Sequence, residues 1–357
     1  MKGKTIFLCA GGTGGHVFPA IAVYHQLKKK NFNPLLITDA RSLNFLANQN
    51  IEYFVLPVIA PKGGRFNKLK YLLSLSYSTF IAFKKIISKK PFILIGFGGY
   101  PSFPTLAAAA LLKKRIIIHE QNSILGHANQ VLAKYTEKIA TSFFEMQGIA
   151  DAFKHKVVLT GNPVRNDIIN IGKLPFQEIT ENSKLNVLVT GGSQGSKIFS
   201  TVVPQAIKIL PEKYKAKIHI EQQCRVAEIE EVKKIYDENN IDAETKTFFI
   251  DMPERIARAH ICICRSGAST LAELASAGRA AIFIPLPTSK LNHQEINARY
   301  FEKNNAAEVI LEKDFTPAIL AGRLIFYLEN SEALKLRSQG AKRLSIYNSA
   351  QKIVDLI

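Results

Sequence analysis

Long apolar runs, paired cysteines and, over about a fifth of the chain, acidic side chains are what this sequence does without. The best candidate for a bilayer span, Tyr71 to Phe83, is interrupted by Ser74, Ser76, Ser78 and Thr79, whereas a spanning helix needs about 20 apolar residues. No bilayer-spanning segment is expected. The apolar run after Lys4 ends at Ala10, too short for a signal-peptide core and better read as a first strand. Cys9, Cys224, Cys262 and Cys264 form no Cys-x-x-Cys pair and have no His at zinc-ligand spacing. Strand alternation places Cys262 and Cys264 on one face, where cysteine acts as a small buried apolar residue. Metal binding, redox chemistry and an oxidising compartment are therefore not expected.

Between Tyr53 and His119 there is no Asp or Glu, yet Lys62, Arg65, Lys68, Lys70, Lys84, Lys85, Lys89, Lys90, Lys113, Lys114 and Arg115 all fall there. The net charge of +18 is thus concentrated, which points to a polyanionic partner, nucleic acid or an anionic membrane surface. Leu69 to Ile87 reads as a helix, with Leu72, Phe80, Phe83 and Ile87 on one stripe and Leu73, Tyr77 and Ile81 on another. One stripe packs on the protein; the other, beside Lys84 and Lys85, suits a lipid headgroup layer or a second buried face.

What is present is a repeat. Thr5-Ile-Phe-Leu-Cys-Ala-Gly-Gly-Thr-Gly-Gly-His16 and Leu185-Asn-Val-Leu-Val-Thr-Gly-Gly-Ser-Gln-Gly-Ser196 each run a short apolar strand into a glycine turn and a helical pattern. Such turns let main-chain amides and a helix start face an anion, most often a phosphate. At 357 residues the chain also exceeds one usual core. Strands are expected at Thr5–Ala10, Pro34–Thr38, Tyr53–Leu56, Phe92–Ile95, Arg115–His119 and Lys138–Thr141. A second series is expected at Asn186–Thr190, Lys217–Ile220, Thr247–Ile250, Ile261–Cys264 and Ala281–Ile284. Strand-helix alternation implies an α/β fold of two Rossmann-like, doubly wound parallel sheets. The expected domains are 1–161 and 162–339, with a helix at about 340–357 returning to the first.

Neither turn is a P-loop or a Gly-x-Gly-x-x-Gly fingerprint. His16, at a helix start, suits a neutral general base, and a capping role fits equally. Phe97-Gly-Gly-Tyr-Pro-Ser102 and His119-Glu-Gln-Asn122 follow strands, so Tyr100, Glu120 and Asn122 project from the sheet end where ligands bind. His119 and Glu120 also suit structural roles. In the second half, Arg265-Ser-Gly-Ala-Ser-Thr-Leu-Ala-Glu273 opens a helix near the Gly191 turn, and Glu273 suits a ribose. Asn292-His-Gln-Glu-Ile-Asn297 suits sugar hydroxyls, and Arg165 a diphosphate.

Gly11-Gly-Thr-Gly-Gly-His16, Gly96-Phe-Gly-Gly-Tyr100, His119-Glu-Gln-Asn122 with Gly126 and Asn129, Gly161-Asn-Pro-Val-Arg165, Gly191-Gly-Ser-Gln-Gly195 and Arg265-Ser-Gly-Ala268 stand in the order and spacing of the MurG family. The sequence resembles those peptidoglycan N-acetylglucosaminyltransferases from first strand to last helix. The resemblance implies a GT-B fold with two domains facing across a cleft. It also implies inverting transfer of N-acetylglucosamine from UDP-GlcNAc to the C4 hydroxyl of the muramoyl sugar of lipid I, at the cytoplasmic face of the membrane. It assigns the donor to Thr13, Gly14, Gly15, Asn122, Arg165, Ser193, Gln194, Gly195, Ile250 through its main chain, Ala268, Ser269, Thr270, Leu271, Ala272, Glu273 and Gln294. The acceptor falls to Tyr100 and Asn129, with His16 as base, Glu120 as a second catalytic candidate, and Leu72, Phe80, Phe83, Lys84 and Lys85 as a membrane patch. No cofactor or metal is implied, since no Asp-x-Asp stands ready to hold one, and no nucleic-acid motif supports that partner.

The sequence departs from the family at His293, Phe103 and Ser196, which bears on sugar contacts and on the acceptor pocket. The alternatives are another sugar-nucleotide enzyme of the same fold, or a nicotinamide oxidoreductase with Asp39 on a ribose.

Overall fold

The computed structural model describes residues 3–47, 49–59, 65–180, 183–192 and 195–357, with side chains from 70 onward in the helix that starts at Arg65. Ser193 and Gln194 therefore lie outside the described residues. The chain divides into two compact units, Met1–Arg165 with Ile346–Ile357, and Asn166–Ser345.

The first unit is built on β1 (Thr5–Cys9), β2 (Asn33–Thr38), β3 (Tyr53–Val55), β4 (Ile93–Gly96), β5 (Arg115–Glu120), β6 (Lys138–Thr141) and β7 (Val157–Leu159). These form one seven-stranded sheet in the order β3-β2-β1-β4-β5-β6-β7, and the pairings are parallel. The central strands are apolar at nearly every position because both faces are covered. Ile6, Leu8, Ile93 and Ile95 pack on one side with Val17, Ile21 and Tyr24 of the helix Gly14–Lys29. Phe7, Cys9 and Leu94 pack on the other with Leu106 and Ala109 of the helix Ser102–Leu111. The short helix Ser349–Val354 adds Ile353 and Val354 to the first of these layers.

The second unit carries β8 (Leu185–Thr190), β9 (Ile218–Gln223), β10 (Ala243–Lys246), β11 (Ile261–Cys264), β12 (Ala280–Phe283) and β13 (Glu308–Val309). Their order is β10-β9-β8-β11-β12-β13, again parallel. The expected strand at Thr247–Ile250 is not one: the strand is the polar Ala243–Lys246. It lies at the sheet edge, where one-sided pairing tolerates charge, and the apolar residues after it form the exit loop. All four cysteines are buried. Burial pushes the Cys224 thiol up to about 11 and the Cys262 thiol up to about 12, as befits core residues.

The helix Arg65–Lys89 differs from expectation in which face it buries. Ser74, Ser78, Ala82 and Ile86 point inward, while Leu72, Leu73, Tyr77, Phe80 and Ile87 are all more than half exposed. Phe83 is half-buried against the core, so it does not belong to the outward stripe. Small inward residues let this helix lie close to the helix Ser102–Leu111. Among the described residues no helix is long and apolar enough to cross a membrane.

Candidate active site

In an open parallel sheet the carboxyl ends of the strands gather loops and helix starts at one edge. In the first unit the loops after β1, β4 and β5 meet there. The turn after β1 lies backbone to backbone against the loop after β4: a Cβ on Gly99, whose φ is +81°, would sit 2.1 Å from the Gly11 carbonyl oxygen. Only glycine fits both the angle and the approach.

The amide of Gly12 already has an anion. Its N–H donates to Asp39 Oδ1 at 3.0 Å and to Ser42 Oγ at 3.0 Å, Ser42 Oγ donates to the same Asp39 oxygen at 2.6 Å, and Arg41 Nε donates to Asp39 Oδ2 at 2.8 Å. Asp39 is 1% exposed. Its carboxylate is spent inside the protein, which removes the ribose ligand that the oxidoreductase reading requires. Only its place after β2 marks Asp39 in the sequence; the clasp with Ser42 and Arg41 depends on how the 39–42 turn folds.

Thr13 is the extended N-cap of the helix Gly14–Lys29, and its Oγ1 lies 3.2 Å from His16 Nδ1. Across the ring stands Gly98, where a Cβ would come within 2.9 Å of His16 Cδ2. The half-buried imidazole is thus held at the helix start between the Gly11 turn and the Gly98 turn. Tyr100 is reached by the Arg41 guanidinium, 4.8 Å from its ring centre, and meets the Tyr71 ring edge-on at 6.2 Å. Arg165 places its guanidinium 5.5 Å from the ring centre of Phe18, on the same helix as His16.

Glu120 and His119 are fasteners. Glu120 Oε1 accepts from the backbone N–H and the side-chain amide of Asn122, both at 3.1 Å, and Oε2 accepts from Gly126 N at 3.0 Å and Asn129 Nδ2 at 2.9 Å. These bonds close the 120–129 loop around one carboxylate, and they use Asn129 to do it. His119 is wholly buried. A carbonyl only accepts, so its Nε2 donates to the Gly161 oxygen at 3.0 Å, while Nδ1 accepts from Gln121 Nε2 at 3.1 Å. Burial lowers this imidazole to about 4 and keeps it neutral.

In the second unit the loops after β8, β11 and β12 are joined by Arg265. One Nη donates to Ser196 Oγ at 2.9 Å and pairs with Glu312 at 2.5 Å; the other donates to the carbonyls of Ile284 and Pro285 at 3.0 and 3.2 Å. Ser266 Oγ donates to the Gln294 carbonyl at 2.8 Å, and Gln294 Oε1 accepts from Leu286 N at 3.0 Å. Gly192 N–H donates to Thr190 Oγ1 at 3.3 Å, and Gly195 N–H to the Gly192 carbonyl at 3.0 Å. The helix Ala268–Ala277 starts beside this clasp, behind the extended N-cap Gly267. Its first amides lack intrahelical acceptors, and the dipole makes that end positive.

The side chains of Ala268 and Leu271 are buried, so of these residues only backbone is presented. Ser269, Thr270, Ala272 and Glu273 are half-buried at the helix start and its second turn. Ile250 is 90% exposed on the loop after β10. His293 Nδ1 lies 2.7 Å from the Lys290 carbonyl and donates to it, and it opens the helix His293–Lys303 that carries Gln294.

The chain matches the glycosyltransferase family 28 N-terminal domain over residues 6–141 and the C-terminal domain of that family over 186–354. Among curated proteins it is 41% identical to a Wolbachia (strain wRi) protein named UDP-N-acetylglucosamine--N-acetylmuramyl-(pentapeptide) pyrophosphoryl-undecaprenol N-acetylglucosamine transferase, over 99% of this chain and 98% of that one. A protein of the same name from Paramagnetospirillum magneticum is 40% identical over 99% and 95%. Among solved structures, Acinetobacter baumannii MurG superposes with a TM-score of 0.80 at 29% identity, covering 99% of each chain. A UDP-GlcNAc 2-epimerase from Neisseria meningitidis, at 14% identity and a TM-score of 0.68 over 98% of each chain, shares the fold. Matched along its whole length in sequence and in architecture, the chain belongs to glycosyltransferase family 28 and, within it, to the MurG family.

Proposed function

We propose that this protein transfers N-acetylglucosamine from UDP-N-acetylglucosamine to the C4 hydroxyl of the muramoyl sugar of lipid I, forming lipid II with inversion at the anomeric carbon. The full-length likeness to transferases of that name carries the reading. The second unit binds the donor: the start of the helix Ala268–Ala277 and the amides near Gly195 face the diphosphate, the Ile250 main chain the uracil, Glu273 the ribose and Gln294 the hexose. His16 of the first unit takes the proton from the acceptor hydroxyl as its oxygen bonds to the anomeric carbon. The bond to the diphosphate breaks, and UDP leaves with the electron pair. Arg165 and the helix-start amides offset the charge that grows on UDP. Thr13, Gly14, Gly15 and Asn122 complete the donor set, Tyr100 serves the acceptor, and Glu120 and Asn129 support it through the 120–129 loop. Radiolabelled UDP-N-acetylglucosamine and a lipid I analogue should yield a labelled disaccharide lipid; label released only as free sugar would overturn the assignment.

The same reading places the enzyme on the cytoplasmic membrane face, docked through the helix Arg65–Lys89. Its outward stripe of Leu72, Leu73, Tyr77 and Phe80 supports this, with Lys84 lying 4.5 Å over the Phe80 ring and Lys85 over Phe54 at 4.2 Å. Apolar groups between ammonium groups suit an anionic headgroup layer. Phe80→Ser should weaken sedimentation with phosphatidylglycerol vesicles several-fold, and unchanged sedimentation would return the stripe to solvent.

A further inference from the structure

A cavity of about 310 Å³ opens in the second unit at the sheet edge opposite the β8 and β11 exit loops. Leu174, Pro175 and Phe176 form an apolar wall, and Lys335, Ser338, Gln339 and Lys342 of the helix Ser331–Arg343 form a polar one. The floor is the Gly278–Arg279 turn, where Gly278 takes φ +62° and caps the helix Ala268–Ala277.

Arg279 is 3% exposed and forms no ion pair with a carboxylate among the described residues. Nε donates to the Ile256 carbonyl at 2.8 Å, Nη2 to Ala257 at 2.6 Å and Nη1 to Gly278 at 3.3 Å. A guanidinium has five N–H donors, so two remain beyond these carbonyls. Ser338 Oγ donates to the Gly278 carbonyl at 2.6 Å, covering the oxygen that would most repel an anion. Lys335 is paired with Glu178 at 2.8 Å, whereas Lys342 has no carboxylate partner among the described residues. Three cations and one carboxylate therefore line the cavity: Arg279 is buried in its floor, Lys335 is half-buried and Lys342 stands exposed at its rim, and an excess of positive charge around a concave site favours an anion.

We propose that this cavity is a second binding site, separate from the donor site, for a small organic anion: a phosphate or carboxylate held by Lys342, Arg279 and Gln339, with an apolar body against Leu174 and Phe176. The floor and the proposed donor end are opposite ends of one ten-residue helix, about 15 Å apart at 1.5 Å per residue, so UDP does not occupy the cavity. The full chain is titrated with phenyl phosphate and, separately, with benzoate by calorimetry in the presence of saturating UDP. The sequence has no tryptophan, so Leu174→Trp supplies a single indole reporter for a parallel fluorescence titration. Saturable binding with a dissociation constant near or below about 1 mM, weakened at least tenfold by Lys342→Glu, is the expected result; the stronger of the two probes identifies the anion class. Absence of saturation with both probes, or binding that Lys342→Glu and Gln339→Glu leave unchanged, would overturn the proposal.

Discussion

The two glycine turns read almost alike in sequence and differ in what their amides meet. In the first, Gly12 donates to the buried carboxylate of Asp39, itself held by Ser42 and Arg41. In the second, the described amides of Gly192 and Gly195 go to a hydroxyl and a carbonyl, and the nearby carboxylates of Glu312 and Glu228 are paired with Arg265 and Arg225. A turn that carries its own anion is electrostatically closed to another at that amide. The repeat thus teaches that a shared backbone device is divided by charge: the first turn, next to His16, carries a buried carboxylate, whereas the described amides of the second meet only neutral acceptors.

That contrast is open to attack at four points. The largest effect belongs to His16→Ala, which should lower turnover 10²- to 10⁴-fold, about 3–5 kcal/mol, while UDP affinity measured by calorimetry stays near the parent value; near-normal turnover would reject the base. Next comes pH. His119 is held neutral at about 4 in the folded state against about 6.5 unfolded. The unfolded chain therefore binds more protons in that window, and stability is full above it and falls as pH drops through it. The loss should reach roughly 3 kcal/mol by pH 4, and His119→Gln should flatten that slope in urea titrations. Asp39→Asn removes the buried charge but keeps an acceptor; it should cost about 2 kcal/mol in unfolding free energy and leave UDP binding unchanged. A loss of UDP affinity there would mean that the first turn is not closed. Smallest is Glu273→Ala, expected to weaken UDP about tenfold, near 1.4 kcal/mol, with stability little altered.

Much of this architecture was legible from periodicity, because both faces of each sheet are covered and the inner strands must be apolar throughout. Lys138–Thr141 and Ile261–Cys264 stand where the apolar runs put them. The failures share a cause, namely positions where hydrophobicity and burial part company. Ala243–Lys246 is polar yet paired at an edge, and Phe248 and Ile250 are apolar yet exposed. On the helix Arg65–Lys89, Ser74 and Ser78 turn inward, Ser74 Oγ donating to the Tyr71 carbonyl at 2.8 Å, while Leu72, Leu73, Tyr77 and Phe80 turn outward. Around the candidate site, motif spacing found the loops but not their internal bonds. Glu120 was legible as polar at a strand end; that its two oxygens would be shared among Asn122, Gly126 and Asn129 depends on how the loop closes.

The segment Ile346–Ile357 belongs to the first unit although the whole second unit precedes it. Its Ile353 and Val354 fill the first unit's core, Lys30 pairs with Asp355 at 3.0 Å, and Arg115 donates to the Ile357 carbonyl at 3.3 Å. During synthesis the ribosome must therefore release the contiguous second unit before the first can seal its core. A protease cut near Arg165 would leave the halves still tethered by the stretch around Ser345.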